Sequence, residues 1–390
     1  MSPRLINHSP DLRKLRDEGY EVEVREGYLL IRHVPYVSSS KDVKFGTLVS
    51  TLALAGDQTV KPDTHVVHFG GEYPCHNDGA PIEQLRHTSG HQTLGPSVVD
   101  HQFSNKPPGG YPDYYEKMTG YIRIISSPAE SLDPTVTART FGAVDDGDAD
   151  SIFHYTDTNS SRAQINPISD KLRDGRIAIV GLGGTGAYIL DLVAKTHVRE
   201  IHLFDGDKFV QHNAFRSPGA PTREDLQQTH VKADYFAALY SKMHKGIRSH
   251  PHFIESNNVN DLASVGFVFV CVDNGEARKL IFATLEASGI PFIDVGMGVH
   301  AVDGKLRGIV RTTCSTRTMR QHVPERVSFD EGVADEYRTN IQIADLNMLN
   351  AALAVIKWKK LCGVYDDLEK EHHSTYTIDV NMLLGEACEA

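Results

Sequence analysis

The run Gly181-Leu-Gly-Gly-Thr-Gly186 is the part of this sequence whose composition points most directly to chemistry. It follows the apolar stretch Ile177-Ala-Ile-Val180 and opens a segment of helical periodicity, 187–198. Glycines at such a strand-to-helix junction permit a tight turn and let backbone N–H groups approach a phosphate. The helix N-terminus that follows favours the negative charge. Gly181, Gly183, Gly184 and Gly186 therefore read as a nucleotide cradle, a spacing that serves NAD and ATP enzymes alike. Asp205 ends the next strand, roughly 20 residues on, where a carboxylate holds ribose hydroxyls.

The residues after Asp205 separate those two cofactors. Asp205-Gly-Asp207-Lys-Phe-Val-Gln-His-Asn213-Ala-Phe-Arg216-Ser217 leads on to Lys232, and the apolar run Phe267-Val-Phe-Val-Cys-Val272 delivers Asp273-Asn274, with Arg278 behind it. Hydride transfer has no use for an asparagine, an arginine and a lysine near the phosphates. Cleavage between the α- and β-phosphates does, because charge builds on both fragments. It also needs a carboxylate for Mg²⁺, and Asp273 at the C-terminal end of a strand suits that task. Each residue has a plainer alternative. Asp205 and Asp207 could form a strand-end turn, Lys232 could be a solvated helix residue, and Asp273-Asn274 could cap a helix. Their joint occurrence in this order favours the ATP site.

These residues sit on a regular alternation. Strands are predicted at 176–180, 201–204, 265–272 and 291–295, and helices at 187–198, 232–243 and 277–287. Such alternation implies βαβ units and a mostly parallel, Rossmann-like α/β sheet with helices on both faces. Upstream, the pattern is different. Residues 11–19 predict a short helix, 20–24 and 28–34 a hairpin turning at Glu26-Gly27, 62–112 a turn-rich stretch, and 121–126 a further strand. The acidic run Val144-Asp-Asp-Gly-Asp-Ala-Asp150 is the expected linker. The expected organisation is an N-terminal α+β domain over 1–145, of docking or interaction type, and a second domain over 151–390.

From about 151 to 390 the sequence resembles the ThiF-type adenylyltransferases. These include ubiquitin-activating enzymes and the enzymes that activate sulfur-carrier proteins for thiamine and molybdopterin. The resemblance implies that Gly181, Gly183, Gly184 and Gly186 line the nucleotide and that Asp205 binds ribose. It further implies that Asn213, Arg216 and Lys232 bind phosphates and that Asp273 holds Mg²⁺, with Asp207 and Asn274 alongside. Where the family usually has Arg-Gln, this chain has Arg216-Ser217. Ser160-Ser-Arg162-Ala-Gln-Ile165 resembles the family's Ser-Arg-Gln-Ile segment with one extra residue, Ala163. It implies a homodimer in which Arg162 reaches the ATP of the opposing unit. The activity implied is ATP-dependent adenylation of the C-terminal carboxylate of a ubiquitin-like protein, followed by a thioester and transfer to a conjugating enzyme. The alternatives are a sulfur-carrier or peptide adenylyltransferase that stops at the acyl-adenylate, and a non-catalytic nucleotide-binding scaffold.

The thioester needs a cysteine, whose thiolate is a strong nucleophile when its pKa is lowered. The family places it after the last sheet strands, in a segment crossing the active site. Gly308-Ile-Val-Arg-Thr-Thr-Cys314-Ser-Thr-Arg-Thr318 fits, with Arg311, Arg317 and Arg320 expected to lower the Cys314 pKa and a crossover loop expected at about 312–338. Cys271 lies in an apolar strand, Cys362 in a helix and Cys388 near the end of the sequence.

The N-terminal half carries His65, His68, Cys75-His76, His87 and His91, with no metal-ligand spacing of known type. It resembles an uncharacterised domain found ahead of ThiF-type modules in bacterial ubiquitin-like operons, some linked to antiviral defence. The residues that carry this are Lys44-Phe-Gly-Thr-Leu-Val-Ser50, Pro62-Asp-Thr-His-Val66 and Lys106-Pro-Pro-Gly109. The net charge of −11 and the lack of a basic stripe argue against nucleic acid as a partner. The five cysteines contain no Cys-x-x-Cys pair, which argues against a disulfide framework or a zinc knuckle. No apolar run reaches bilayer length and the first ten residues lack an apolar export core, so the expected location is cytoplasmic.

Overall fold

The computed structural model describes residues 2–144, 151–329 and 341–386. Its chain divides into two compact units, Met1–Gln164 and Ile165–Ala390. The boundary thus falls after the acidic run rather than at it. Residues 151–164 belong with the first unit, where Ser161 Oγ donates to Asn7 Oδ1 at 2.9 Å and also accepts from Arg16.

In the first unit, β1 (Val22–Arg25), β2 (Tyr28–Val37), β3 (Val43–Thr51), β6 (Val66–Gly70), β7 (Arg86–Leu94) and β8 (Ser97–Ser104) form an antiparallel sheet. Its order is β1-β2-β3-β6-β8-β7, and a ribbon of β4 (Leu54–Ala55) and β5 (Gln58–Thr59) accompanies it. The predicted first hairpin forms. Glu26 and Gly27 both have positive φ, 50° and 82°, which matches the right-handed strand twist. The turn-rich stretch, however, holds three strands. β7 is exposed along nearly its whole length, so it carries no apolar alternation for a reader of the sequence to detect.

The strand expected at 121–126 lies inside the helix Tyr114–Leu132. Tyr121-Ile-Arg-Ile-Ile has strand-like residues, but Tyr114, Met118, Tyr121, Ile122, Ile125 and Ala129 recur at helical spacing. The stripe is buried, and all of it but Ala129 packs in one cluster with Leu29, Ile31, Phe69 and Phe103 of the sheet. Tertiary burial overrides local propensity here. Asp113 caps the helix, its Oδ1 accepting from Glu116 N at 2.8 Å.

In the second unit the sheet order is β11 (Ile247–His250), β10 (Glu200–Phe204), β9 (Arg176–Val180), β12 (Phe267–Val270), β13 (Phe292–Val302), β14 (Lys305–Ser315), β15 (His373–Thr377) and β16 (Met382–Glu386). The first five strands are parallel, four of them where the alternation predicts and β11 in addition, and the last three extend the sheet antiparallel. Chain order runs outward from β9 to one side and then, from β12, to the other. Helices Gly184–Val193 and Ala344–Leu361 cover one face and Gly275–Ala287 the other. Among the described residues no helix is long and apolar enough to cross a membrane.

The C-terminal strands depart from expectation. The strand predicted at 291–295 continues to Val302, and Thr312–Ser315, expected to begin a crossover loop, complete β14 instead. The remainder of that expected loop includes a short helix, Val323–Arg326, and residues 330–338 lie outside the described residues.

Candidate active site

β9 and β12 are adjacent and parallel, and the chain leaves their C-terminal ends in opposite directions, which opens a crevice. Gly181 follows β9 with φ 89°, and a Cβ there would lie 2.6 Å from the carbonyl oxygen of Cys271, just past β12. At Gly186 a Cβ would lie 1.9 Å from Gly181 O. These two glycines are thus required by close backbone approach. Gly183 serves differently: it is the N-cap of the helix Gly184–Val193, and the space beside its Cα is open. Backbone N–H groups at this helix start can meet an anion there.

A cavity of about 1310 Å³ spreads from this loop across the sheet edge. Ten of the eleven residues expected at the nucleotide line it: Gly181, Gly183, Gly184, Gly186, Asp205, Asp207, Arg216, Lys232, Asp273 and Asn274. Asp205 is buried, and its Oδ2 accepts from Leu182 N at 2.7 Å while Oδ1 accepts from Asp207 N at 2.8 Å. It therefore fixes the glycine loop to the second strand. Burial pushes its carboxyl up, against the pull of Lys232 and the two backbone donors. Lys232 is buried too. Its Nζ donates to Asp207 Oδ2 at 2.8 Å and stands 4.0 Å from Asp205 Oδ2.

Arg216, expected to meet phosphate, has an unpaired donor on this cleft: its Nε is buried and has no hydrogen-bond partner among the described residues. A buried donor left unpaired is costly unless a ligand supplies an acceptor. Asp273 is exposed at the cleft, and its carboxylate has no side-chain partner among the described residues. Asn274 follows its plainer alternative: its Oδ1 accepts from Ala277 N at 2.8 Å and caps the helix Gly275–Ala287.

Three expected residues lie elsewhere. Asn213 is buried outside the cleft lining, its Oδ1 accepting from Val210 N at 2.9 Å, so it shapes the turn that presents Arg216. Ser217, in place of the family's glutamine, is buried and donates to Asn213 O at 2.7 Å. Arg162 belongs to the first unit, exposed at the end of the short helix Thr158–Arg162. Cys314 differs most from expectation. It is 1% exposed and packs with Ile293, Ala351, Ala354 and Trp358, and burial pushes its thiol up to about 12. The expected arginine effect fails because side chains alternate across a strand. Arg311 points into the cleft and Cys314, three residues on, points into the core beneath the sheet.

Sequence reasoning missed part of the cleft's lining and of the frame behind it. Asp294 on β13 is fully buried between Arg278 and Arg311. Asn347 and Asn350 project from the helix Ala344–Leu361 and are both buried. Asn347 accepts from Thr185 Oγ1 at 3.0 Å and donates to Arg216 O at 3.2 Å, and Asn350 donates to Gly296 O at 3.0 Å. Two asparagines on the apolar face of a helix, three residues apart, were the available signal.

The order of the five parallel strands and the glycine loop at the switch point define a Rossmann-like α/β protein. The ThiF family model matches residues 148–377, more than half of the chain, and the chain belongs to that family. Residues 10–158 match a domain of unknown function (DUF6791). Curated relatives include ubiquitin-like modifier-activating enzyme 5 of Drosophila mojavensis, 25% identical over an alignment of 181 residues that covers 42% of this chain and 45% of that protein. The mouse (Mus musculus) enzyme of the same name is 26% identical over an alignment of 148 residues that covers 35% of this chain and 37% of that one. The chain thus spans under half the length of these relatives. Among solved structures, E. coli MccB with ATP is similar at a TM-score of 0.47 and 17% identity, over 58% of this chain and 70% of that one. E. coli tRNA N6-threonylcarbamoyladenosine dehydratase, TcdA, is similar at 0.40 and 16%, over 52% and 92%.

Proposed function

We propose that the second unit is an ATP-dependent adenylyltransferase. A carboxylate oxygen of the substrate attacks the α-phosphorus of ATP, the bond from that phosphorus to the bridging oxygen of the β-phosphate breaks, and pyrophosphate leaves. The observation that carries this reading is the unpaired, buried Nε of Arg216 beside an open glycine loop and Lys232, all on one cleft. Lys232, held in place by Asp207, would exchange that carboxylate for a phosphate oxygen. Asp205 would hold the ribose while keeping the loop in register. Asp273 is the carboxylate free to ligate Mg²⁺, which when bound offsets phosphate charge.

The curated relatives support the C-terminal carboxylate of a ubiquitin-like protein as substrate. The first unit would then dock the modifier, a conjugating enzyme or a second copy of the chain. In a homodimer Arg162 would serve the partner's nucleotide. Burial of Cys314 favours a second reading for the later step: the acyl-adenylate passes directly to a nucleophile on another molecule, such as a conjugating enzyme, a sulfur donor or an amine.

Exchange of labelled pyrophosphate into ATP tests adenylation, with small ubiquitin-like proteins encoded beside this gene as substrates. Wild-type exchange that vanishes in Asp273→Ala is the expected result. Nucleotide binding with no exchange for any of these substrates would leave a non-catalytic scaffold. Mixing inactive Arg162→Ala with inactive Asp273→Ala tests the dimer. Random reassociation into twofold dimers should restore roughly a quarter of wild-type activity, and no restoration would remove the role of Arg162 in trans.

A further inference from the structure

We propose that Arg311 positions the attacking carboxylate of the acyl substrate, an assignment that rests on the adenylation reading above. The β13–β14 wall of the cleft is built around Asp294, which is 0% exposed. Its two oxygens are held by different arginines: Oδ1 by Arg278 Nε at 3.2 Å and Oδ2 by Arg311 Nη2 at 2.5 Å. Arg278 has all three of its nitrogens engaged, since Nη1 donates to Ser328 O at 3.2 Å and Nη2 to Val272 O. Arg311 engages two of its three among the described residues. Beyond Asp294 it donates through Nη1 to Thr313 Oγ1 at 2.6 Å, which leaves donors of its five-hydrogen fork for the cleft it lines.

Two guanidinium groups around one carboxylate leave one positive charge in excess. Breaking either pair would strand a buried charge, so Asp294 holds Arg311 in one orientation before any ligand arrives. The neighbouring glycine belongs to the same device. Gly296 faces Arg311 across the ladder, and a Cβ on it would lie 2.6 Å from Arg311 Nη2. The guanidinium therefore lies over the bare main chain of β13. Gly298, next on that face, opens onto free space. An extended acyl chain has a lane here without side chains, with a fixed cation at its head.

Position decides which anion that cation takes. The phosphate donors Gly183, Arg216 and Lys232 gather at β9 and β10. β14 is three strands from β9, roughly 14 Å at ~4.8 Å per strand, and the reach of Arg311 over β13 recovers only one of those steps. Adenylation brings two anions into contact, and each needs its own donors to overcome their repulsion. A planar guanidinium suits a carboxylate because both oxygens can be engaged at once.

The test measures binding to the full-length protein in the presence of an ATP analogue that cannot be cleaved between the α- and β-phosphates. The probes are glycylglycine and glycylglycinamide, which differ only at the terminal carboxylate. The wild type is expected to prefer glycylglycine by about tenfold or more. Arg311→Gln should abolish the preference while ATP affinity stays within about twofold, consistent with a single lost charge-assisted contact. Retained ATP binding also shows that the cleft is folded. Gly296→Ala keeps every charge but displaces the guanidinium, and should weaken the preference too. Equal or unmeasurable affinity of the wild type for the two probes overturns the assignment, as does a preference that survives both substitutions. Weakened ATP binding in Arg311→Gln with the preference intact would instead assign the arginine to the triphosphate. Failure of the wild type to bind the ATP analogue is a separate result, which sinks the adenylation reading itself.

Discussion

In the sheet of the second unit, β9, β10, β12 and β13 run parallel, so the segments leaving their C-terminal ends gather at one rim. That rim receives the glycine loop, Asp205, Asp273 and, through the long β13–β14 hairpin, Arg311. In the first unit every neighbouring pair of main-sheet strands is antiparallel, so successive strand ends point opposite ways. Its histidines illustrate the consequence. His65 meets Ser104 at 3.0 Å, His68 meets Gln92 at 3.0 Å, and His91 meets Asp100 at 2.9 Å, each with a different partner. Among the described residues no three of His, Cys, Asp or Glu come together as a metal site. Polar residues that are near in sequence become a site only where topology sends them to one place.

Damage to the rim should therefore exceed damage anywhere else. Asp273→Ala and Lys232→Ala are each expected to lower pyrophosphate exchange by about a hundredfold or more, the scale of a lost charge-stabilising group. A comparable loss from a substitution in the exposed strand β7 would break the contrast. Gly186→Ala should come next. Its Cβ meets backbone rather than a yielding side chain, so about 1–3 kcal/mol of stability should be lost together with nucleotide binding, read by denaturant titration and nucleotide fluorescence.

Cys314→Ala tests the far side of the same sheet. It should cost about 1 kcal/mol and leave exchange within about twofold. The native thiol, pushed up to about 12, should resist alkylation at about pH 8. Rapid labelling, or loss of exchange in the variant, would return this cysteine to the active site. The smallest effect belongs to the first unit. Lys117 is fully buried, donates to Ser50 Oγ at 2.9 Å and Thr64 O at 2.8 Å, and burial lowers its pKa to about 8. The unfolded lysine keeps its proton well above that value, so between about pH 8 and 10 the unfolded state binds more protons and stability rises with pH. Lys117→Met should flatten that slope in pH-dependent denaturation, and an unchanged slope would show that the lysine is not its source.

Four of the five parallel strands were legible because each is a short apolar run followed by glycine or a carboxylate, as at 177–186 and 267–273; β11, Ile-Arg-Ser-His, has no such run and was not expected. The placement of the glycine loop, Asp205 and Asp273 on the cleft was legible for the same reason, since each lies at a strand end, whereas Arg216 and Lys232 lie further on and were expected there from residue type and order. What escaped is non-local. Nothing in the vicinity of Asp294 announces that Arg278 and Arg311 will enclose it, and the burial of Cys314 follows from strand parity that a loop reading conceals. Strand-like residues at 121–126 were misread because their helical stripe is visible only over the longer window from Tyr114 to Ala129.

Asn347 carries a consequence for synthesis. Its amide joins Thr185 of the glycine-loop helix to the carbonyl of Arg216, and Gly184 is bare where a Cβ would lie 1.9 Å from Asn347 Nδ2. Thr185 and Asn347 are separated by 162 positions. At about 5–20 residues per second, roughly 8–32 s pass on the ribosome between making the loop and making the residue that braces it. A nascent chain halted before the helix Ala344–Leu361 should therefore retain nucleotide poorly, and the complete cleft becomes a late event in the life of each polypeptide.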